Sequence, residues 1–187
     1  MFKEFFIKEI GTALQRPMLY IFIFMMTLFG ALMVIFGETI GSTGNEYANS
    51  PHTITGIIAA FSLLSLLIST AFFNNAALRD FKYGFNEILF TSPINKFGYY
   101  FGRFTGALLL STIPLLGIYL GFMIGSIIGP LSGQIDAERI GDFHFETLLN
   151  AYLLFILPNM FIAGAIIFAM ATKWKNTIIS FLGTILI

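Results

Sequence analysis

Acidic residues and a histidine alternate near position 144, and these side chains are of the types that ligate divalent metals. Asp142, His144 and Glu146 would share one face of an extended strand, where carboxylates and an imidazole could meet a metal ion. No H-E-x-x-H or other recognised metal spacing accompanies them. A solvated acidic loop is therefore the favoured interpretation, and we predict no metal site.

Motifs for nucleotide binding and hydrolysis are absent from the sequence. It contains no G-x-x-x-x-G-K-[ST], no G-x-S-x-G and no cysteine, which excludes a P-loop, a serine-hydrolase elbow and thiolate chemistry. Ten basic and ten acidic residues leave no net charge, so no basic field points to nucleic acid. We predict no catalytic residue, no cofactor bound by this chain and no nucleic-acid partner. The chain is not expected to be an enzyme.

The composition predicts an all-α polytopic membrane protein. Of the 187 residues, 57% are hydrophobic and only 11% are charged, against about 25% in a soluble domain. A helix needs about 20 apolar residues to cross a bilayer. Uncharged stretches of that length predict four full spans and the start of a fifth. The spans are expected near Leu19–Phe36, Ile54–Asn75, Phe104–Gly129 and Leu148–Thr172, with the fifth beginning near Ile178.

The distribution of Lys and Arg predicts the orientation of these spans. All basic residues except Arg139 fall before the first span, between the second and third, or after the fourth. The opposite loops are acidic, with Glu38, Glu46, Asp136, Glu138, Asp142 and Glu146. We predict a cytoplasmic N-terminus, a cytoplasmic loop at 79–103 and an extracytoplasmic loop at 130–147. Together these would form a single transmembrane domain over 1–187.

Residues 1–16 predict an amphipathic helix that lies in the plane of the lipid headgroups. Its apolar side chains recur at helical spacing, at Phe2, Phe5, Phe6, Ile10, Ala13 and Leu14. The helix should end before Pro17, because the residue before a proline is biased out of the helical conformation. It would serve either as a topogenic anchor or as an elbow helix that moves with the first span.

The predicted cytoplasmic loop is longer and more aromatic than a connector between two spans requires. A short helix is expected from about Gly84 to Phe90, because four apolar residues share one helical face: Phe81, Phe85, Ile88 and Leu89. Ser92 as N-cap and Pro93 at the first helical position predict the start of the next helix. The apolar side chains would cover a protein surface, lie at the membrane interface or pack under their own helices.

Glycines recur at four-residue intervals in the third span, at Gly117, Gly121, Gly125 and Gly129, and Gly102 and Gly106 extend the row. Small residues at this spacing let helix backbones approach closely. We predict a packing role, with a partner either in this chain or in a second subunit.

Two prolines lie near the middle of the third and fourth spans, and each interrupts the hydrogen-bond ladder of its helix. Broken helices are tolerated in a membrane where they face protein or a watery cavity. Asn159 could satisfy a freed carbonyl next to Pro158, or both prolines could line a substrate path. Asn74 and Asn75 would then lie at the cytoplasmic end of the path that passes Pro114.

The cytoplasmic loop resembles that of the membrane subunits of ABC-2 type exporters. Such permeases carry there a Gly, a Glu followed by Leu-rich residues, a Pro, a basic residue and a Gly followed by Lys or Arg. The matching residues are Gly84, Glu87, Leu89, Pro93, Lys96, Gly102 and Arg103. A closer likeness is to the N-terminal membrane region of bacterial permeases fused to an M1-type aminopeptidase-like domain. It is carried by Arg16, Pro17, Arg79, Asp80, Phe81, Lys82, Tyr83, Gly102, Arg103, Phe104 and Gly106.

The resemblance implies an ABC-2 type helical bundle in the bacterial cytoplasmic (inner) membrane, acting as the permease subunit of an ATP-driven exporter. Its partners would be a separate ABC ATP-binding subunit, which would hold ATP and Mg, and a second permease half or a homodimer partner. The ATP-binding subunit would contact the coupling loop at Arg79, Asp80, Gly84, Phe85, Glu87, Leu89, Phe90, Pro93, Lys96 and Arg103. Since such permeases have six spans per half, this chain is expected to be truncated at its C-terminus.

Two other functions are compatible with the sequence. The chain could be a non-transporting membrane anchor or assembly subunit, whose loop binds another cytosolic partner. A passive channel or secondary carrier is less favoured, because no ionisable residue lies inside a predicted span.

Overall fold

The computed structural model describes residues 1–36, 47–91 and 93–185, without the side chains of Leu64, Ile88, Leu89, Phe90 and Ile185. Within these residues the chain forms helices and no strand, as the sequence predicts. The helices are α1 (Phe2–Leu14), α2 (Pro17–Ile35), α3 (Pro51–Lys82), α4 (Phe85–Thr91), α5 (Lys96–Leu131), α6 (Phe145–Trp174) and α7 (Thr177–Ile185). The acidic Glu38 and Glu46 lie outside the described residues.

Three helices, α2, α5 and α6, are each long and apolar enough to cross a membrane. α3 passes the same test as a broken pair, Pro51–Leu63 with Ser65–Lys82, which gives up to four such helices in the described part of the chain. These helices overlap the four spans predicted from the sequence. α7 begins at Thr177, next to the predicted start of the fifth.

Helix α6 contains a π-helical turn at Tyr152–Ile156, which ends two residues before Pro158. There the N–H of Leu157 donates to the carbonyl of Tyr152, five residues earlier. Proline has no N–H to donate, so the α-helical ladder is already interrupted at this point. A π turn accommodates the interruption without ending the helix. Pro114 likewise lies inside α5 and does not end it.

The chain divides into two compact units. The first comprises Met1–Leu19, Leu64–Thr112 and Asn159–Ile187, and the second comprises Tyr20–Leu63 and Ile113–Pro158. The sequence analysis expects a single transmembrane domain over the same residues. Four helices, α2, α3, α5 and α6, contribute residues to both units.

In the second unit, α5 packs against α2 through its glycines. A Cβ atom added to any of three glycines of α5 would come within 2.8 Å of a backbone carbonyl oxygen of α2. The pairs are Gly117 with Ile23, Gly121 with Thr27 and Gly125 with Ala31. The two backbones can touch because no side chain stands between them. These glycines therefore have a partner inside the chain, whereas Gly129 faces the side chain of Ile135.

In the first unit, α3, α5 and α6 enclose an apolar core built around aromatic rings. Phe73 is fully buried, its ring centroid lies 5.5 Å from that of Phe104, and Phe104 lies 5.7 Å from Phe168. Helix α7 is joined to α3 by a buried hydrogen bond of 2.7 Å between the hydroxyls of Thr184 and Thr70. Buried hydroxyls are paired in this way because an unsatisfied polar group away from water costs several kcal/mol.

Replacing Gly121 with Leu should lower the free energy of unfolding by about 1–3 kcal/mol or more, because a side chain there overfills the contact with α2. The matched control is Gly56→Leu in α3, where an added Cβ would meet nothing within 4 Å. Thermal unfolding of both variants in one detergent checks the prediction. Equal melting of Gly121→Leu and the parent protein would contradict it.

Candidate functional site

Helix α1 lies along the start of α5 at three glycines spaced four residues apart. A Cβ atom on Gly98 would lie 3.4 Å from the backbone nitrogen of Phe2, and one on Gly102 would lie 2.8 Å from the Phe2 carbonyl oxygen. One on Gly106 would lie 2.8 Å from the Cβ of Glu9. The glycines thus let α1 approach the α5 backbone closely, and this approach buries the carboxylate of Glu9.

Glu9 is only 2% exposed and forms an ion pair with Arg79. The Nη2 atom of Arg79 donates to Oε2 at 2.8 Å, and Nη1 donates to Oε1 at 3.4 Å. Burial raises the pKa of the Glu9 carboxyl, and the Arg79 guanidinium opposes this shift. Sequence analysis missed Glu9, although it lies four residues from both Phe5 and Ala13 and therefore on their side of the helix.

A second buried ion pair joins the end of α3 to the start of α5. Arg103 donates through Nη2 to Oδ2 of Asp80 at 2.6 Å and through Nη1 to the carbonyl of Ala76 at 2.6 Å. The hydroxyl of Tyr99 donates to the same Asp80 oxygen at 2.9 Å. The guanidinium carbon of Arg103 also lies 4.8 Å from the centroid of the Tyr99 ring. We refer to Glu9, Arg79, Asp80 and Arg103 as the charge cluster.

The charge cluster contains three residues that the resemblance assigns to contacts with an ATP-binding subunit. Arg79 and Asp80 are each 9% exposed and Arg103 is 3% exposed. Arg79 and Asp80 are neighbours in the chain but do not pair with each other. Arg79 pairs with Glu9, and Asp80 pairs with Arg103. In this structure their polar contacts lie within the chain, where they hold together the helix ends that flank the loop.

The loop carries the short helix that the sequence predicts. After α3 ends at Lys82, Gly84 adopts φ 70°, and α4 begins at Phe85. A side chain at such a positive φ would be strained, so glycine suits this turn. Phe85 is 58% exposed, and Glu87 in the first turn of α4 is also exposed. The predicted contacts through the side chains of Leu89 and Phe90 lie outside the described residues.

The predicted start of α5 is wrong by three residues. Pro93 is exposed and not helical, and α5 begins at Lys96, which is exposed as well. The side-chain oxygen of Asn95 accepts hydrogen bonds from the backbone nitrogens of Phe97 at 3.0 Å and Gly98 at 3.3 Å. Asn95 therefore satisfies the free N–H groups of the first turn, the role of an N-cap. Ser92 lies outside the described residues.

The residues proposed to line a substrate path fall in different units. Asn74 is 4% exposed, and neither polar atom of its side chain has a hydrogen-bond partner in the described part of the chain. Asn75 and Asn159 are partly buried in the first unit, and Pro114 and Pro158 belong to the second.

At the acidic loop, Asp142 and His144 line a pocket of about 330 Å³ in the second unit. Glu146 lies in the first turn of α6 instead of in an extended strand, so the three side chains do not form the expected row. Over 1–36, 47–91 and 93–185 we find no group of three His, Cys, Asp or Glu side chains placed to hold a metal ion. The loop is fixed by Asn49, whose amide exchanges hydrogen bonds of 2.7 and 2.8 Å with the backbone of Gly141.

Comparison of the chain with protein-family models, with curated proteins and with solved structures found no match.

Replacing Arg103 with Met should lower the free energy of unfolding by about 3–5 kcal/mol, because Asp80 would stay buried without its cation. The double variant Asp80→Asn/Arg103→Met removes both charges and should recover most of that loss. Denaturant unfolding of Arg103→Met, Asp80→Asn, the double variant and the parent protein forms a double-mutant cycle. Additive losses in the cycle would show that the two side chains do not interact.

Proposed function

We propose that this chain is the membrane-spanning permease subunit of an ATP-driven ABC exporter. The observation that carries the proposal is α4, a short helix between two long apolar helices, with the aromatic ring of Phe85 and the charge of Glu87 both exposed. A connector between two spans needs neither a helix nor exposed aromatic groups. An exposed apolar side chain on a short helix is suited to a groove on a partner protein.

The charge cluster supports a mechanical role for this loop. α4 is linked to α3 by the two residues Tyr83 and Gly84, and Asp80 in the last turn of α3 is bonded to Arg103 of α5. Because these charges are buried, separating them would leave each without compensation. A force applied to α4 by a partner would therefore move the ends of α3 and α5 together. In the exporter, ATP and Mg would be bound by that partner, and a second permease half or a second copy of the chain would complete the pathway.

In the proposed arrangement the chain makes four full spans in a bacterial cytoplasmic membrane, with α1 and α4 at the cytoplasmic face. The Lys and Arg distribution supports this orientation. α1 also carries exposed Phe2 and Ile7 beside Lys3 and Lys8, a composition suited to the headgroup region.

The orientation can be tested by cysteine labelling, because the natural sequence contains no cysteine. We expect Lys82→Cys to resist a membrane-impermeant maleimide in intact cells and to react after permeabilisation. Asp142→Cys should react in both cases. Both positions are exposed in the fold, so a difference in their labelling would report the side of the membrane and not burial of the cysteine. Labelling of Lys82→Cys in intact cells would contradict a cytoplasmic loop.

The function itself can be tested with Glu87→Lys, which reverses the charge on the exposed side of α4. We expect this variant to fold and to lose most of the P-loop ATPase that co-purifies with the tagged parent protein in mild detergent. The matched control is Glu146→Lys, since Glu146 is also exposed and also lies in the first turn of a helix. That control should retain the ATPase.

Three outcomes of the co-purification would overturn the proposal. The ATPase could be absent from the parent preparation, both variants could retain it, or a different cytosolic protein could occupy the loop. The last outcome would favour a non-transporting anchor or assembly subunit.

A further inference from the structure

A pocket of about 260 Å³ lies beside the charge cluster in the first unit. Its charged walls are Lys8 from α1, Arg79 and Asp80 from α3, and Arg103 from α5. Aromatic rings form other parts of the wall, among them Phe5 of α1 and Phe85 of α4. The pocket thus combines an excess of positive charge with apolar surface.

Two of the cationic side chains in this wall have donors that the fold does not use. Nε of Arg103 is buried and has no hydrogen-bond partner in the described part of the chain, although Nη1 and Nη2 are both bonded. Over the same residues the ammonium of Lys8 has no ion-pair or hydrogen-bond partner. The exposed Lys8 ammonium is therefore free to bind an anion, whereas the buried Nε of Arg103 leaves a charged donor unsatisfied within the wall.

The carboxylates of the cluster do not cancel the positive charge of the pocket. Glu9 is not part of the lining and is held by both terminal nitrogens of Arg79. Asp80 does line the pocket, but one of its oxygens already accepts hydrogen bonds from Arg103 and Tyr99. Counting Glu9 with the lining residues, three cations face two carboxylates, which leaves one positive charge to be matched.

We propose that this pocket binds the phosphate of an anionic phospholipid headgroup. Arg and Lys are the side chains that bind phosphate through charge-assisted hydrogen bonds. Basic pockets between membrane helices are typical sites for anionic headgroups. The rings of Phe5 and Phe85 would contact the glycerol and the first methylenes of the lipid, which a free phosphate ion lacks. The site requires no ATP-binding subunit, so it stands or falls separately from the export function.

The test is a titration of the purified full chain, in a neutral detergent, with short-chain phosphatidylglycerol, phosphatidylcholine or sodium phosphate. We expect phosphatidylglycerol to raise the melting temperature and phosphatidylcholine to leave it unchanged. Lys8→Gln should weaken the apparent affinity for phosphatidylglycerol about fivefold, the effect of about 1 kcal/mol per basic residue. The variant should fold, because Lys8 is exposed.

The matched control is Lys3→Gln, which removes the same charge from an exposed position of α1 that does not line the pocket. This control should bind phosphatidylglycerol like the parent protein. An equal response to sodium phosphate would support the anion site and identify soluble phosphate as its source. Equal effects of the two lipids, or equal losses in the two lysine variants, would overturn the proposal in favour of general surface electrostatics.

Discussion

Two ion pairs are buried side by side in the first unit, and the packing of α1, α3 and α5 depends on keeping both intact. Removing a charge from water costs several kcal/mol, and only a close partner with good geometry recovers that cost. Glu9 and Arg79 come from different helices, as do Asp80 and Arg103. If any one of the three helices moved away from the other two, at least one charged side chain would lose its partner. Moving one helix alone would leave a buried charge unpaired, which disfavours other arrangements of these helix ends.

Close helix approach is the second requirement, and α5 meets it with glycine at its contacts with α1 and α2. At its start, Gly102 and Gly106 admit the backbone of α1 and the stem of Glu9. Farther along, Gly117 and Gly121 admit the backbone of α2. In lipid, apolar surface gains little by leaving its surroundings, so helices associate through close van der Waals contact and hydrogen bonds. The repeated spacing thus serves two helices of the same chain.

The helices and candidate spans could be predicted from the sequence because they depend on local hydropathy and on runs without charge. The helix at Phe85–Thr91 was also predictable, since Gly84 and the apolar spacing after it are local signals. The partners of the buried charges were not, because Glu9 and Arg79 are 70 residues apart and nothing local joins them. The predicted start of α5 is wrong because the sequence offers two helix starts, Pro93 as a first helical residue and Asn95 as an N-cap. The hydrogen bond from Phe97 to the Asn95 side chain, which identifies the actual start, is visible only in the structure. The assignment of the loop to an ATP-binding partner remains a prediction.

The pocket and α4 share structural elements, and this has a thermodynamic consequence. Phe85 is the first residue of α4 and also part of the pocket wall. Three members of the charge cluster, Arg79, Asp80 and Arg103, line the same wall. A protein docked on Phe85 would change the wall that an anionic headgroup contacts. Any effect of the headgroup on docking must then be matched by an equal effect of docking on headgroup affinity, because linkage is reciprocal. Since Phe85 is the shared residue, its contacts set both the size and the sign of this coupling.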